Sequence, residues 1–363
     1  MNIQFHLVPL IRVIVISCTL FGLAYAASAQ EDSSASPRVF MIRDYQVAEI
    51  TTQPGVISTQ SVSTLPIELE ALGSSRTDAW RLDSADITRD ARLLYSIETF
   101  GRTSRLLPTN TRLVRTDLLT GTRLTLIENS GLYTFTMSPD ETKMFVTYYD
   151  GEYGVDTIRT CLLDLVSGEC RTFPFAVIPP RYWIDNNYIV AIQVPGLRLT
   201  IININDFSYR ELALPPELYL YSAVPIPGTR YMVLSMTIRD NPTLASQFKL
   251  LNVDTGELSD MLYNALNQEN YSAVGNWTFS PDGFYLLYQG GGELALIEFA
   301  AGRLITEIDT GYNWGWTSDT TLVLQGSDGN MSGVLEIDAT TGGIRQLLPA
   351  SEANGILLVT HPQ

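Results

Sequence analysis

One turn signal comes back six times along the 363-residue chain, and it limits the fold more than any single residue does. A strand-like run ends in a short acidic or amide turn, of which Ser280-Pro281-Asp282-Gly283 is the fullest copy. A second apolar strand follows, and about 15–25 residues after the turn comes a hairpin of the form apolar-Asp-x-x-Thr-Gly. Its glycine falls at Gly121, Gly168, Gly256, Gly302 and Gly342, spaced 47, 88, 46 and 40 residues apart. The long gap divides at a degenerate copy, Asn205-Asp206-Phe207-Ser208. A repeat of about 40–50 residues carrying four short strands is the mark of a β-propeller.

The persistent letters have physical reasons. Proline presets φ at the first central turn position, Asp or Asn bonds its own backbone, and glycine takes the left-handed conformation that a tight hairpin needs. Phe135-Thr136-Met137-Ser138-Pro139-Asp140 repeats Trp277-Thr278-Phe279-Ser280-Pro281-Asp282, and Ile87-Thr88-Arg89-Asp90-Ala91 keeps the shape with changed letters. Six repeats are expected at roughly 80–128, 129–175, 176–214, 215–262, 263–306 and 307–349. Residues 38–72 read as strands at 39–42, 46–50, 56–62 and 67–72, and Gly355-Ile356-Leu357-Leu358-Val359-Thr360 as one more. A ring must close or leave two sheet edges bare. The expected fold is therefore all-β, a single propeller of four-stranded blades. Seven blades are expected, with six as the alternative, and the C-terminal strand closes the ring on the N-terminal ones. A short helical pattern survives only at Leu258–Leu266.

The Ser-Pro-Asp-Gly turn followed by Leu-Leu-Tyr at 286–288, then the Asp-x-x-Thr-Gly hairpins, resembles the Pro-Asp repeats of TolB-like bacterial propellers. The resemblance covers about residues 80–349. It implies a shape shared by scaffolds, binding proteins and a few enzymes rather than one activity.

The first 29 residues read as a signal peptide, residues 30–36 as a linker and 37–363 as the propeller. Arg12 precedes an apolar run from Val13 to Ala29, and Ala27-Ser28-Ala29 offers small residues for cleavage before Gln30. Two other readings stand beside this one: a retained membrane anchor and a lipoprotein box at Val15-Ile16-Ser17-Cys18. The expected location is secreted or periplasmic, with no membrane span after cleavage. A formal charge of −16, with Lys143 and Lys249 the only lysines, argues against nucleic acid and anionic membrane surfaces as partners.

Catalytic schemes that need imidazole find only His6, in the leader, and His361, third from the C-terminus. No compact cation-binding loop is present, and no cofactor is expected. The leading expectation is a non-catalytic module, expected to be a monomer, that binds a protein or glycan through one rim. The alternative is a divalent-metal-dependent lactonase- or lyase-type enzyme with carboxylate ligands in the channel. The loops between second and third strands carry the candidate contacts: Arg102 and Arg105, with Arg112 and Arg115, in a basic loop; Tyr149 and Tyr153 in an acidic, aromatic one; and Arg239 in a third. Asn276 and Asn313, each before a tryptophan in matching repeats, are expected nearer the channel, and Trp277 is expected to pack between blades. Cys161 and Cys170 flank one hairpin and suggest a disulfide. In regular pairing they would be diagonal neighbours about 7–8 Å apart, beyond the span such a bond prefers.

Overall fold

Turn chemistry cuts this chain into strands. The structure is a computed structural model, and it describes residues 37–43, 46–50, 59–65, 69–70, 80–100, 110–129, 131–150, 157–194, 198–216, 218–238, 247–260, 275–290 and 293–360. Ser280 Oγ donates to Asp282 Oδ1 at 2.6 Å and accepts the N–H of Tyr285 at 2.9 Å, while Asp282 accepts the N–H of Phe284 at 3.0 Å. Ser138 and Asp140 repeat this clamp, and so do Thr88 and Asp90. A hydroxyl, then an aspartate two residues on, is the working part of the motif. The residue after the aspartate is left-handed in all three: Gly283 at φ 74°, Glu141 at 56° and Ala91 at 57°. Glycine is required only at 283, where a Cβ would also fall 2.9 Å from Ile226 Cγ2 in the preceding repeat.

The strands in chain order are β1 (Val39–Arg43), β2 (Gln46–Ile50), β3 (Thr59–Thr64) and β4 (Leu69–Glu70), then six sets of four. Blade 1 holds β5 (Trp80–Ile87), β6 (Leu93–Phe100), β7 (Asn110–Asp117) and β8 (Arg123–Asn129). Blade 2 holds β9 (Leu132–Met137), β10 (Lys143–Tyr149), β11 (Ile158–Asp164) and β12 (Cys170–Thr172). Blade 3 holds β13 (Ala176–Trp183), β14 (Tyr188–Val194), β15 (Arg198–Asn203) and β16 (Tyr209–Glu211). Blade 4 holds β17 (Leu218–Pro225), β18 (Tyr231–Ile238), β19 (Gln247–Asn252) and β20 (Leu258–Asp260). Blade 5 holds β21 (Gly275–Phe279), β22 (Tyr285–Gly290), β23 (Glu293–Glu298) and β24 (Arg303–Ile308). Blade 6 holds β25 (Thr310–Trp316), β26 (Thr321–Ser327), β27 (Ser332–Asp338) and β28 (Gly343–Pro349). The seventh sheet runs β29 (Ile356–Val359), β1, β2, β3, with Val39 opposite Val359 and Ile42 opposite Ile356. The C-terminal strand is thus the inner member of the blade that the N-terminal strands complete, and the propeller has seven blades.

Each seam between blades has its own apolar core. Phe40, Ile42 and Leu358 meet Leu82 and Leu94 where blade 7 joins blade 1, and Val39, Leu357 and Val359 meet Val323 and Val334 where it joins blade 6. Trp277 is 6% exposed and packs on Phe248 of blade 4 at a ring distance of 5.0 Å, as its position between blades predicts. Arginines add a second kind of joint. Arg115 donates to Leu165 O at 3.4 Å, Arg171 to Asn205 O at 2.8 Å and Arg210 to Asp254 O at 2.8 Å, each reaching the outer hairpin of the next blade.

Three expectations change. Leu69–Glu70 is not an outer strand of blade 7 but pairs in parallel with Trp80–Arg81 on the inner edge of β5, next to the ring axis. Leu258–Asp260 is strand rather than helix, because it completes blade 4 opposite Lys249–Leu251. Arg112 and Arg115 belong to β7, where Arg112 lies opposite Glu98, and not to the basic loop. Cys161 and Cys170 are joined by a disulfide with a Cα separation of 5.7 Å. Their register is the diagonal one, Leu163 facing Cys170, so the strands close up without a bulge.

Candidate functional site

The inner strand of each blade runs from the upper face, where second strands connect to third, down to the acidic turns. Inner strands face the channel along their edges, except where β4 covers the start of β5, and a register slip in such a strand re-aims its side chains. Five of the seven slip at nearly one level. The extra residue is Asp83 in β5, Tyr133 in β9, Tyr221 in β17 and Asn313 in β25, while β13 gains the pair Pro179-Pro180. Each lies four or five residues before the clamp position of its lower turn.

Asn313 is the strained member, left-handed at φ 50°, which costs a non-glycine residue about 1 kcal/mol or more. Its amide donates to Gln325 Oε1 at 3.2 Å, and the buried Gln325 in turn donates to Ala353 O in the connection into β29. Gln289, at the same position of blade 5, donates to Gly311 O at 2.8 Å. The two glutamines therefore fasten each blade to the start of the next inner strand. Gly315 follows for a steric reason: a Cβ there would fall 2.5 Å from that of Val359. Tyr312, beside the slip, is 57% exposed.

Blade 1 concentrates charge. Glu98 has 1% of its side chain exposed, accepts Arg112 Nε at 2.7 Å, and is also bridged by Arg123 and bonded by Ser96 Oγ. The Arg112 guanidinium stacks over Trp80 at 3.9 Å. Asp83 takes a bond from Arg81 Nε at 3.0 Å and another from Thr99 Oγ1. In blade 3 the Tyr182 phenol is pushed up to about 12 by burial, and it bonds Ser222, the residue after the slip in blade 4. Among the described residues no group of three or more His, Cys, Asp or Glu could hold a metal ion. Among them, too, no helix is long and apolar enough to cross a membrane.

Tyr149, expected on the rim, closes β10 at 6% exposure with its N–H bonded to Gly131 O at 2.9 Å, so it stands in the wall. Arg102, Arg105, Tyr153 and Arg239 lie outside the described residues. The strand ends flanking them, Phe100 and Asn110, Asp150 and Thr157, Ile238 and Gln247, all belong to the upper face. Asn276 sits in unslipped register opposite Gln289, so the two asparagines that match in sequence do not match in backbone geometry. Asp83, Tyr312 and the slips escaped sequence reasoning because a register slip leaves no letter code.

No family profile matches the chain, and no curated protein sequence matches it. Solved structures do. An oligogalacturonate lyase in complex with manganese aligns at a TM-score of 0.54 and 16% identity, over 73% of this chain and 76% of that one. The β-propeller domain of the Trilobed protease of Pyrococcus furiosus, of open velcro topology, aligns at 0.54 and 12% identity, over 88% and 97%. A putative 6-phosphogluconolactonase of Bacteroides fragilis aligns at 0.50 and 12%, over 91% and 99%. At these identities the likeness is one of fold.

Proposed function

We propose that this chain is an exported propeller of the TolB-like kind that captures a protein or glycan partner on its upper face, without turnover of its own. The observation that carries the reading is the recurrent slip of the inner strands. A ring needs no such slip to close, as blades 5 and 7 demonstrate, and slips of this kind re-aim side chains at functional surfaces. Asp83, Tyr312 and Asn313 are the described groups brought to that level. Among the described residues, three rim charges are matched internally: Arg198 with Glu211 at 2.7 Å, Arg159 with Asp150 at 3.7 Å and Lys249 with Asp260. Hydroxyl, amide and ring groups of the described residues then stand beside the candidate arginines Arg102, Arg105 and Arg239 as the recognition chemistry, a composition suited to protein or sugar. The leader pattern at 12–29 supports export.

A second reading is a divalent-metal lyase or lactonase, favoured by one observation: two of the similar structures are oligogalacturonate lyases, one holding manganese. Calorimetric titration of the purified chain with manganese and calcium chloride separates the two. The binding reading expects no stoichiometric uptake and no shift of the melting temperature by chelator. Tight uptake of one ion would favour the enzyme.

A further inference from the structure

We propose that the Cys161–Cys170 disulfide is a redox switch for the outer hairpin of blade 3: a dithiol opens the bond in the folded protein, and that hairpin loosens. This inference is independent of the partner-binding reading and concerns the lower side of the ring.

The hairpin, residues 203–209, is the strained one among its described siblings. Those turn on Gly121, Gly168, Gly256, Gly302 and Gly342, each in the left-handed region that glycine adopts freely, whereas Phe207 is held there at φ 60° with a side chain attached. Its support comes from blade 2. The Phe207 ring stacks on Phe173 at 4.0 Å and lies under Arg171 at 3.8 Å. Arg171 also donates to Asn205 O at 2.8 Å, and the Phe175 ring meets Tyr209 at 4.9 Å. Arg171, Phe173 and Phe175 all lie on β12 or just after it.

β12 itself is weakly held. All three of its residues are exposed, and it pairs on one side only, Cys170 with Leu163, Arg171 with Leu162 and Thr172 with Cys161. A strand with so little burial belongs to the parts of a fold that open locally, and the disulfide is the covalent tie that keeps it in place. β16 and β20 are equally short and contain no cysteine, but the outer hairpins of the blades that follow them turn on Gly256 and Gly302. Among the described blades, the bridged strand is therefore the one that precedes the strained turn.

Access leaves the bond open to exchange. Cys161 is 2% exposed, whereas Cys170 stands exposed on a sheet edge, and exposed disulfides are the labile ones. A thiolate of the dithiol attacks Cys170 Sγ, the S–S bond breaks, and Cys161 leaves as a thiolate that takes a proton. The second thiol of the reagent then displaces Cys170, so that two protein thiols form and the dithiol becomes a disulfide. The core of the seam stays closed, because Phe145, Leu162, Val177 and Ile189 pack there from β10, β11, β13 and β14. What moves is β12 and the turn that leans on it.

Hydrogen exchange of the purified chain in native buffer, with and without dithiothreitol, tests this alongside Arg171→Ala, which cuts the link to blade 3 and keeps the disulfide. The expected result is alkylation of both cysteines after reduction, an unchanged far-UV circular dichroism spectrum, and exchange faster by about tenfold or more at the 203–209 amides. The matching hairpin of blade 5, residues 298–303, should not change. Oxidised Arg171→Ala should already exchange faster at 203–209, and dithiothreitol should add less to it than to the wild type. A bond that resists dithiothreitol until the chain unfolds, global unfolding on reduction, or equal exchange at 203–209 in both states overturns the proposal. So does a reduction effect in Arg171→Ala as large as in the wild type. Should that variant not fold, the wild type decides, with Cys161→Ser/Cys170→Ser as a permanently open form that must match the reduced protein.

Discussion

The main-chain N–H of Arg89 donates to the Glu141 carboxylate at 2.8 Å, so the lower turn of blade 1 is held by a side chain of blade 2. Asp140 in turn donates its N–H to Asn186 Oδ1 of blade 3 at 3.0 Å, and Asp319 of blade 6 accepts the N–H of Asp282. Arg230 of blade 4 bridges back to Asp185 at 3.3 Å. The acidic turns that mark the repeat in sequence thus also link neighbouring blades.

Burial holds the Glu141 carboxyl above its ordinary value of 4.5. The folded state then takes up the proton more readily than the unfolded one, so stability falls as pH rises from 4.5 through the folded value. Glu141→Gln keeps an acceptor for Arg89 and removes the charge. It should raise the melting temperature at neutral pH, with the gain vanishing below pH 4.5. The hairpin aspartates have the opposite sign: Asp117 is held low chiefly by the Thr120 N–H and Asp164 by that of Ser167. Their stabilisation is present above their ordinary 3.8 and is lost as pH falls through their lowered values. Melts across pH read both effects.

Phe207 stands at φ 60° where sibling hairpins have glycine. Its ring stacks on Phe173 at 4.0 Å and lies under Arg171 at 3.8 Å, which offsets the strained backbone. Phe207→Gly should therefore destabilise by about 2–4 kcal/mol in urea unfolding, since loss of the buried ring outweighs relief of about 1–2 kcal/mol of strain.

Much of the fold was legible because its causes are local. The Ser-x-Asp clamp needs only a few neighbouring residues, and Thr88-Arg89-Asp90 forms it as well as the full motif does. Closure was legible too, since Ile356–Val359 had no blade of its own and Val39–Ile42 had no inner partner. The slips at Asp83 and Asn313 were not legible, because register on an inner strand depends on packing from the next blade. In the sequence Arg112 looks like loop for a related reason: a charge inside a strand is intelligible only with Glu98 and Trp80 around it.

Removing Glu98 should show how much that cluster matters. Glu98→Gln leaves the largely buried Arg112 and Arg123 without their carboxylate, a change that costs about 3–5 kcal/mol. Arg123→Gln leaves the Arg112 pair intact and should cost less. Denaturant titration of both variants orders them.

The disulfide ties the three-residue β12 to β11. Reducing it, or Cys161→Ser with Cys170→Ser, should cost about 2–3 kcal/mol for so short a loop. Thiol titration of native protein should find neither sulfhydryl free.

The most direct measurement of the central claim is capture from native culture fluid or envelope by the immobilised chain, compared with Arg102→Ala/Tyr153→Ala/Tyr312→Ala. Tyr312 lies beside the slip in the inner strand of blade 6, and Arg102 and Tyr153 fall in sequence between the second and third strands of blades 1 and 2. The account predicts that the variant keeps the wild-type melting temperature and loses the partner that the wild type retains. A variant that still holds the same partner with undiminished affinity would place the binding surface elsewhere and contradict it.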